Sequence, residues 1–147
     1  MYSDLENIFP RISIEGYQVT SPETPKYNCI AWAAGKDDKW WWPDKNNQYY
    51  WPLETRDSSL EAFKEAFATL GYLSCGLDSN LECGFEKVAI YMSGSFVTHM
   101  ARQLPSGEWT SKCGGLADIT HNTLTGIEYS GYGCVVEILK RVDSHNY

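Results

Sequence analysis

Residues 25–35 have the sequence PKYNCIAWAAG, which predicts a loop that turns into a short apolar helix with a cysteine in its first turn. Pro25 disfavours helix in the residue before it, Asn28 is a good N-cap, and Gly35 is a natural C-terminal stop. A thiol at the start of a helix lies near unpaired backbone N–H groups, which favour its thiolate. Cys29 is therefore either a sulfur nucleophile or a buried structural residue.

The composition predicts one globular domain over residues 1–147. Apolar residues make up 43% of the chain and charged residues 21%, which is typical of a folded protein with a real core. The net charge of −7 argues against a nucleic-acid partner and against an anionic membrane surface. We therefore expect neither kind of partner.

The cysteines point to reduced thiols. There are five, an odd number, and none forms a CxxC pair, so neither a disulfide framework nor a zinc ribbon is predicted and we expect no metal and no cofactor. The N-terminus lacks the apolar core of a signal peptide, and no run is long enough to span a bilayer. The expectation is a cytoplasmic protein; a non-classical export route would leave no such signal.

The flanking segments predict an α+β fold, with N-terminal helices packed on an antiparallel β-meander. Residues 1–24 contain no clear helix and form an entry segment, and the alternation at 12–14 and 17–20 favours short edge strands or an extended arm. Apolar residues recur at helical spacing over 57–71, with Asp57 as a cap. Predicted strands cover residues 86–92, 96–104, 108–113 and 134–139, followed by an exposed tail at 140–147.

Tryptophan and tyrosine are concentrated at residues 39–43 and 49–52, where two prolines exclude a long helix or a central strand. Each ring either caps the core or forms the wall of a binding cleft. The candidate binding residues in and around this region are Asn28, Trp32, Trp41, Trp42, Trp51 and Lys112.

His99 is the candidate general base among three histidines. His145 lies in the tail, and His121 lies in a predicted loop with one or two helical turns, whereas His99 is in mid-strand. Small neighbours on its face leave space for the Cys29 helix, although a core histidine would look the same. The register of the hairpin places Ser111 diagonal to His99, where its hydroxyl can fix the tautomer. Asp118 and His121 are alternative orienting groups if the following loop folds back.

The order of a cysteine at the start of a helix, a histidine on a strand and a polar residue on the next strand resembles that of the papain-like cysteine hydrolases, in particular the NlpC/P60 and CHAP type. The resemblance implies that Cys29 attacks an amide carbonyl, His99 is the general base and Ser111 orients it. Lys112 would favour the thiolate, and the Cys29 backbone N–H with Gln18 or Asn28 would hold the oxyanion. The implied substrate is a peptide, an isopeptide or a cell-wall stem peptide. Residues 27–33 and 98–112 also look like an uncharacterised bacterial domain family.

Two rival interpretations use the same residues differently. In a non-catalytic acidic module of the protein-binding or immunity type, Cys29 and His99 would be packing residues and the partner would be a protein. In a zinc protein, Cys and His side chains would bind the metal, but their spacing matches no standard site.

Overall fold

The computed structural model describes residues 3–113 and 117–143 of the chain. Its helices are α1 (Ser3–Ile8), α2 (Ile12–Glu15), α3 (Cys29–Ala33) and α4 (Leu60–Ala68), with a 3-10 helix at Thr125–Ile127. Its strands are β1 (Tyr17–Val19), β2 (Leu73–Ser74), β3 (Phe85–Ser93), β4 (Phe96–Gln103), β5 (Trp109–Lys112), β6 (Asp118–His121) and β7 (Cys134–Val142). These strands form one antiparallel sheet in the order β1-β6-β5-β4-β3-β7-β2. The fold of the described part is mixed α/β, with few helices and a seven-stranded sheet.

The two faces of the sheet carry separate hydrophobic clusters. Helices α3 and α4 cover one face, and α1 and α2 cover the other. The first, which we call the α3 face, holds Ile30, Phe63, Val88 and Met100; the second, which we call the N-terminal face, holds Phe9, Ile12, Tyr91 and Ile119. Because successive residues of a strand point to opposite faces, the register of each strand decides which cluster a polar side chain joins.

Side-chain caps start the two helices of the α3 face. The Asn28 side-chain oxygen accepts from the Ala31 N–H at 3.2 Å and also from the Trp41 N–H at 3.0 Å. Its amide group donates to the Trp41 carbonyl at 2.8 Å, so one side chain both caps α3 and clips the following loop to it. Helix α4 is capped by Ser59, whose hydroxyl accepts from the Ala62 N–H at 3.2 Å. The helix predicted over 57–71 is therefore present, with its cap two residues later than expected.

The predicted meander is present as β3, β4 and β5, and β7 pairs with the other side of β3. The β4–β5 ladder contains only the pairs Arg102↔Thr110 and Gln103↔Trp109. In this register Met100 would lie opposite Lys112, two residues further along each strand, but these two residues are not paired. An opening between β4 and β5 therefore begins at this level.

The N-terminal arm differs from the expectation. No clear helix was expected here, but α1 (Ser3–Ile8) and α2 (Ile12–Glu15) are helices. Residues 12–14, expected in an edge strand or an extended arm, belong to α2, and only Tyr17–Val19 is a strand. Leu5, Phe9 and Ile12 are buried at spacings of four and three residues, which is the period of a helix. The helical spacing of these three buried residues therefore describes the segment correctly, and the alternation of apolar and polar residues at 12–14 does not indicate a strand.

The C-terminal part also differs. Strand β7 continues to Val142, so residues 140–142 are not an exposed tail. Ion pairs from Lys140 to Glu82 at 2.8 Å and from Arg141 to Glu86 at 3.3 Å hold this end of the strand. The segment 118–121, expected in a loop, is β6. The rest of the predicted tail, 144–147 with His145, lies outside the described residues. In the described part, no helix has the length and hydropathy needed to cross a bilayer.

Candidate functional site

Cys29 lies at the start of α3, and 7% of its surface is exposed. Burial raises the pKa of its thiol to about 11, while backbone hydrogen bonds from Met100 and Ile30 and the charge of Lys112 act in the opposite direction. The thiol is therefore protonated at neutral pH. The hydrogen bond between the Met100 backbone and the Cys29 sulfur locates the thiol, because Met100 lies just beyond the last paired residues of the β4–β5 ladder. The sulfur lies at the opening between the two strands.

Lys112 is fully buried near Cys29, on the α3 face. Its Nζ donates to the Thr24 carbonyl at 2.6 Å and lies 5.2 Å from the centre of the Tyr27 ring. Its partner across the β5–β6 ladder is Asp118, whose carboxylate accepts from the Tyr27 hydroxyl at 2.6 Å. Burial lowers the pKa of Lys112, whereas burial and the bond to Asp118 raise the pKa of Tyr27 to about 12. The ammonium group of Lys112, which was expected to lie near the Cys29 thiol, therefore belongs to a buried polar cluster with Tyr27 and Asp118.

His99 lies on the N-terminal face in a chain of four polar groups. Its Nε2 is 3.0 Å from Ser111 Oγ, and that oxygen is 2.8 Å from His121 Nε2. His121 Nδ1 is 2.8 Å from the Thr123 carbonyl oxygen. The His99 ring also stacks on Tyr132 with 4.3 Å between the ring centres.

The direction of these hydrogen bonds follows from the last member. A carbonyl oxygen only accepts, so His121 Nδ1 must donate to Thr123. Burial lowers the pKa of His121 to about 4, so this ring is neutral and its Nε2 accepts from the Ser111 hydroxyl. Ser111, having used its proton, accepts from His99 Nε2. The network therefore assigns the Nε2–H tautomer to His99.

His99 Nδ1 is left as a lone-pair acceptor. Within residues 3–113 and 117–143 this buried nitrogen has no hydrogen-bond partner. Burial, and to a smaller extent His121, lowers the pKa of His99 well below its ordinary value, so the ring is neutral at pH 7. The geometry gives a neutral imidazole with a fixed tautomer and an unused basic nitrogen.

The structure brings Ser111 to His99, as the hairpin register predicts. It does not place α3 over the His99 face, and that expectation is wrong. Trp32 Nε1 donates to Thr110 Oγ1 at 2.9 Å and Arg102 Nε donates to the Trp32 carbonyl at 3.2 Å, which fixes α3 on the opposite face. The physical reason is that Arg102 and Thr110 offer polar partners to α3, whereas the other face is occupied by α1, α2 and Tyr132. Cys29 and His99 thus approach β4 from opposite sides, and the sulfur meets the backbone one residue after His99.

The candidate binding residues have mostly structural contacts. Trp41 and Trp51 are buried, with Trp51 edge-on to Phe63 at 4.9 Å, which favours the alternative that these two rings cap the core. Trp42 is half-buried and lines a cavity of about 500 Å³ beside α4, away from Cys29. The Asn28 amide is committed to Trp41 and is not free to hold an oxyanion.

Other candidates lie apart from this site. Gln18 is exposed on β1, where it pairs with Thr120. All five cysteines are free thiols. In the described ranges, no group of three His, Cys, Asp or Glu side chains could hold a metal ion. Ser111 and His121, two of the candidates for the orienting group, both belong to the hydrogen-bonded chain that starts at His99, and Thr123 is the member that sequence reasoning missed. The alternation at 118–121, which places Ile119 and His121 on one face, could have predicted strand β6 and, with it, the position of Thr123 two residues after His121.

Comparison with known proteins finds one family. No curated protein and no solved structure matches the chain. The model of a domain of unknown function (DUF7689) matches residues 18–140, which include Cys29, His99, Ser111 and His121. This match covers more than half of the chain, and the protein therefore belongs to the DUF7689 family.

Proposed function

We propose that this protein is a cysteine hydrolase in which Cys29 is the nucleophile and His99 is the general base. The observation that carries the proposal is the unpartnered Nδ1 of His99. A buried acceptor without a hydrogen bond costs about 1–3 kcal/mol, so folded proteins rarely keep one without a use. A proton arriving from a thiol would satisfy it.

The proposed reaction starts from a neutral thiol and a neutral imidazole. The Cys29 sulfur attacks an amide carbonyl carbon while its proton passes to His99 Nδ1. The imidazolium is stabilised through Nε2–H, which donates to Ser111, and Ser111 in turn donates to His121. The leaving amine takes the proton from Nδ1 as the C–N bond breaks. Water then attacks the thioester carbonyl carbon while His99 Nδ1 takes its proton. The C–S bond breaks, the carboxylic acid leaves, and the proton returns from Nδ1 to the Cys29 sulfur, which restores the thiol.

This mechanism makes one structural demand. Cys29 and His99 flank β4 from opposite faces, so the proton must pass through the opening where the β4–β5 ladder stops beside Met100. We infer a papain-like arrangement modified at this point, with the nucleophile reaching the strand at its edge. The proposed substrate is a peptide, isopeptide or cell-wall stem peptide; the net charge of −7 favours a neutral or cationic one. Five free thiols favour a reducing compartment, which supports a proposed cytoplasmic location.

Site-resolved alkylation by iodoacetamide, read by peptide mass spectrometry at pH 7.5, tests the proposal. Exposed Cys83 and Cys134 are the references for ordinary thiols, and buried Cys113 is the reference for a thiol without a base. We expect Cys29 to react faster than Cys113. The variant His99→Phe keeps a ring stacked on Tyr132 and should slow Cys29 by about 10²-fold, the lower end of a general-base contribution.

The same experiment can overturn the proposal. If Cys29 is as slow as Cys113, or if its rate is the same in His99→Phe while Cys83 and Cys134 also keep theirs, His99 is not its base. The thermal unfolding midpoint of each variant is the control, because loss of the fold would instead accelerate both buried thiols.

A second candidate function is a non-catalytic protein-binding module. The observation that favours it is the burial of both residues, with a thiol pKa of about 11 and a neutral His99 stacked on Tyr132. The exposed apolar side chains of Leu73, Leu77 and Leu81 would then be the surface for a partner protein. In this case Cys29→Ala and His99→Phe change the free energy of unfolding and leave partner binding intact.

A further inference from the structure

A cavity of about 900 Å³ lies beyond the C-terminal end of α3, which is within the size range of small-molecule sites. Neither Cys29 nor His99 lines it. Its walls combine apolar side chains with the guanidinium group of one strand residue. The lining residues used below are Lys36, Leu70, Leu81, Phe85, Arg102 and Arg141.

Arg102 enters this cavity with most of its donors unused. Its Nε donates to the Trp32 carbonyl at 3.2 Å, and its guanidinium carbon lies 5.3 Å from the centre of the Trp32 ring. In the described part of the chain, neither terminal nitrogen has a hydrogen-bond or ion-pair partner, so four of its five N–H donors are free. Burial lowers the pKa of Arg102, which means that the charged group is desolvated without full compensation.

Two of the three carboxylates that line the cavity, Glu82 and Glu86, are paired with cations other than Arg102. Glu86 accepts from Arg141 at 3.3 Å. Glu82 pairs with Lys140 at 2.8 Å and with Lys87 at 3.5 Å. A half-buried guanidinium fork beside an apolar wall therefore lacks the planar anion that it binds best.

We propose that this cavity binds a ligand with one carboxylate group and an apolar body. The two terminal nitrogens of Arg102 hold the carboxylate, and Leu70, Leu81 and Phe85 cover the apolar part. Glu82, Glu86 and Asp143 also line the cavity, and their negative charge disfavours a dianion such as phosphate. The C-terminus of a peptide and a fatty acid share this chemistry.

Isothermal titration calorimetry with matched probes tests the site. N-acetyl-phenylalanine should bind at least about tenfold more tightly than its neutral amide, because only the acid can accept from the guanidinium fork. Decanoate is the second acid: tighter binding of N-acetyl-phenylalanine identifies a peptide terminus as the source, and tighter binding of decanoate identifies a fatty acid. In ¹⁵N-labelled protein, the side-chain Nε–H signal of Arg102 should shift with the acid and not with the amide.

Three variants locate the effect. Arg102→Gln should remove the preference for the acid over the amide, and Arg102→Lys should retain a reduced preference because it keeps the charge but not the fork. Lys36→Gln removes an exposed cation at the rim and should change the affinity less than about twofold, as expected for a solvent-screened charge. If Arg102→Gln does not fold, the proposal is tested by the reduced acid preference of Arg102→Lys and by the shift of the wild-type Arg102 Nε–H signal with the acid.

The proposal is overturned by any of four results. These are equal binding of acid and amide, an acid preference that survives in Arg102→Gln, tighter binding of inorganic phosphate than of either acid, and no binding of any probe.

Discussion

At the scale of single residues, the tautomers of the two buried histidines, His99 and His121, follow from the hydrogen bond to the Thr123 carbonyl oxygen. Thr123 forces His121 to donate from Nδ1, and the assignment passes through Ser111 to His99. The prediction is that His99 carries its proton on Nε2 and His121 on Nδ1 at pH 7.5. Two-dimensional long-range ¹H–¹⁵N correlation spectra of the imidazole rings check this directly, and the opposite tautomer at His99 would contradict the relay.

Ser111→Ala tests the link between the two rings. It removes the acceptor of His99 Nε2 and the donor to His121 Nε2, so two buried nitrogens lose their partner. We expect a free energy of unfolding lower by about 2–4 kcal/mol and a mixture of His99 tautomers. A matched control is Ser106→Ala, which removes an exposed hydroxyl in the β4–β5 turn and should change neither quantity. An unchanged His99 tautomer in Ser111→Ala would show that the ring is held by packing alone.

At the scale of elements, Asn28 joins α3 to the aromatic loop that follows it. Asn28→Ala removes the cap of α3 and leaves the buried Trp41 N–H and carbonyl without their partner. We expect a loss of about 2–4 kcal/mol in the free energy of unfolding by urea, because a cap contributes about 1 kcal/mol and the unpaired groups add to it. Ser59→Ala, which removes the cap of α4 and a partly exposed hydrogen bond to Asp57, is the control with an expected loss of about 1 kcal/mol. Equal losses would mean that the clip to Trp41 contributes nothing.

The elements also show what the sequence can predict. Helix α4 and strands β3, β4, β5 and β7 were predictable because their periods extend over several residues and their turns are short. The contact between Ser111 and His99 was predictable for the same reason, since a short turn fixes the register of β4 and β5. Strand β6 was missed because no hairpin turn was predicted before it and because one of its two partners, β1, is distant in the chain.

The face on which α3 packs was not predictable. Alternation in β4 separates His99 from Met100 and Arg102 but does not say which side receives the helix. That choice depends on Trp32, which bonds to Thr110 and Arg102 at a distance of 70 or more residues along the chain. It also depends on α1 and α2, which occupy the opposite face. A face assignment is therefore a tertiary property, and it changes the geometry of the candidate site more than any local element does.

At the scale of the whole molecule, the buried histidines should make stability depend on pH. Both have a lower pKa in the folded protein than the ordinary value, His121 at about 4 and His99 well below its usual range. The unfolded chain therefore binds more protons than the folded one between pH 6.5 and 4. Since stability rises with pH wherever the unfolded state binds more protons, the stabilising effect is complete above about pH 6.5 and is lost as the pH falls towards 4.

The size of this effect can be measured. For His121 alone, the loss amounts to about 3 kcal/mol once the pH has fallen to its folded pKa, and His99 adds to this loss over the same interval, because its unfolded form also takes up a proton from about pH 6.5 downwards. Urea unfolding between pH 7.5 and 4.5 gives the profile. Carboxylates whose folded pKa is lowered, such as Glu15 and Glu82, also take up protons in the unfolded chain near pH 4.5, so the difference between the wild-type protein and a His121 variant is the quantity assigned to His121.

His121→Asn is the matched variant, because asparagine can hydrogen-bond but cannot titrate in this range. Its profile should be flatter than that of the wild-type protein between pH 6.5 and 4.5, whatever its stability at pH 7.5. A wild-type profile that is flat over this interval would contradict two neutral buried rings, and with them the direction of the relay that leaves His99 Nδ1 as a base. A sloping profile that His121→Asn does not flatten would assign the protons to His99 or to another group.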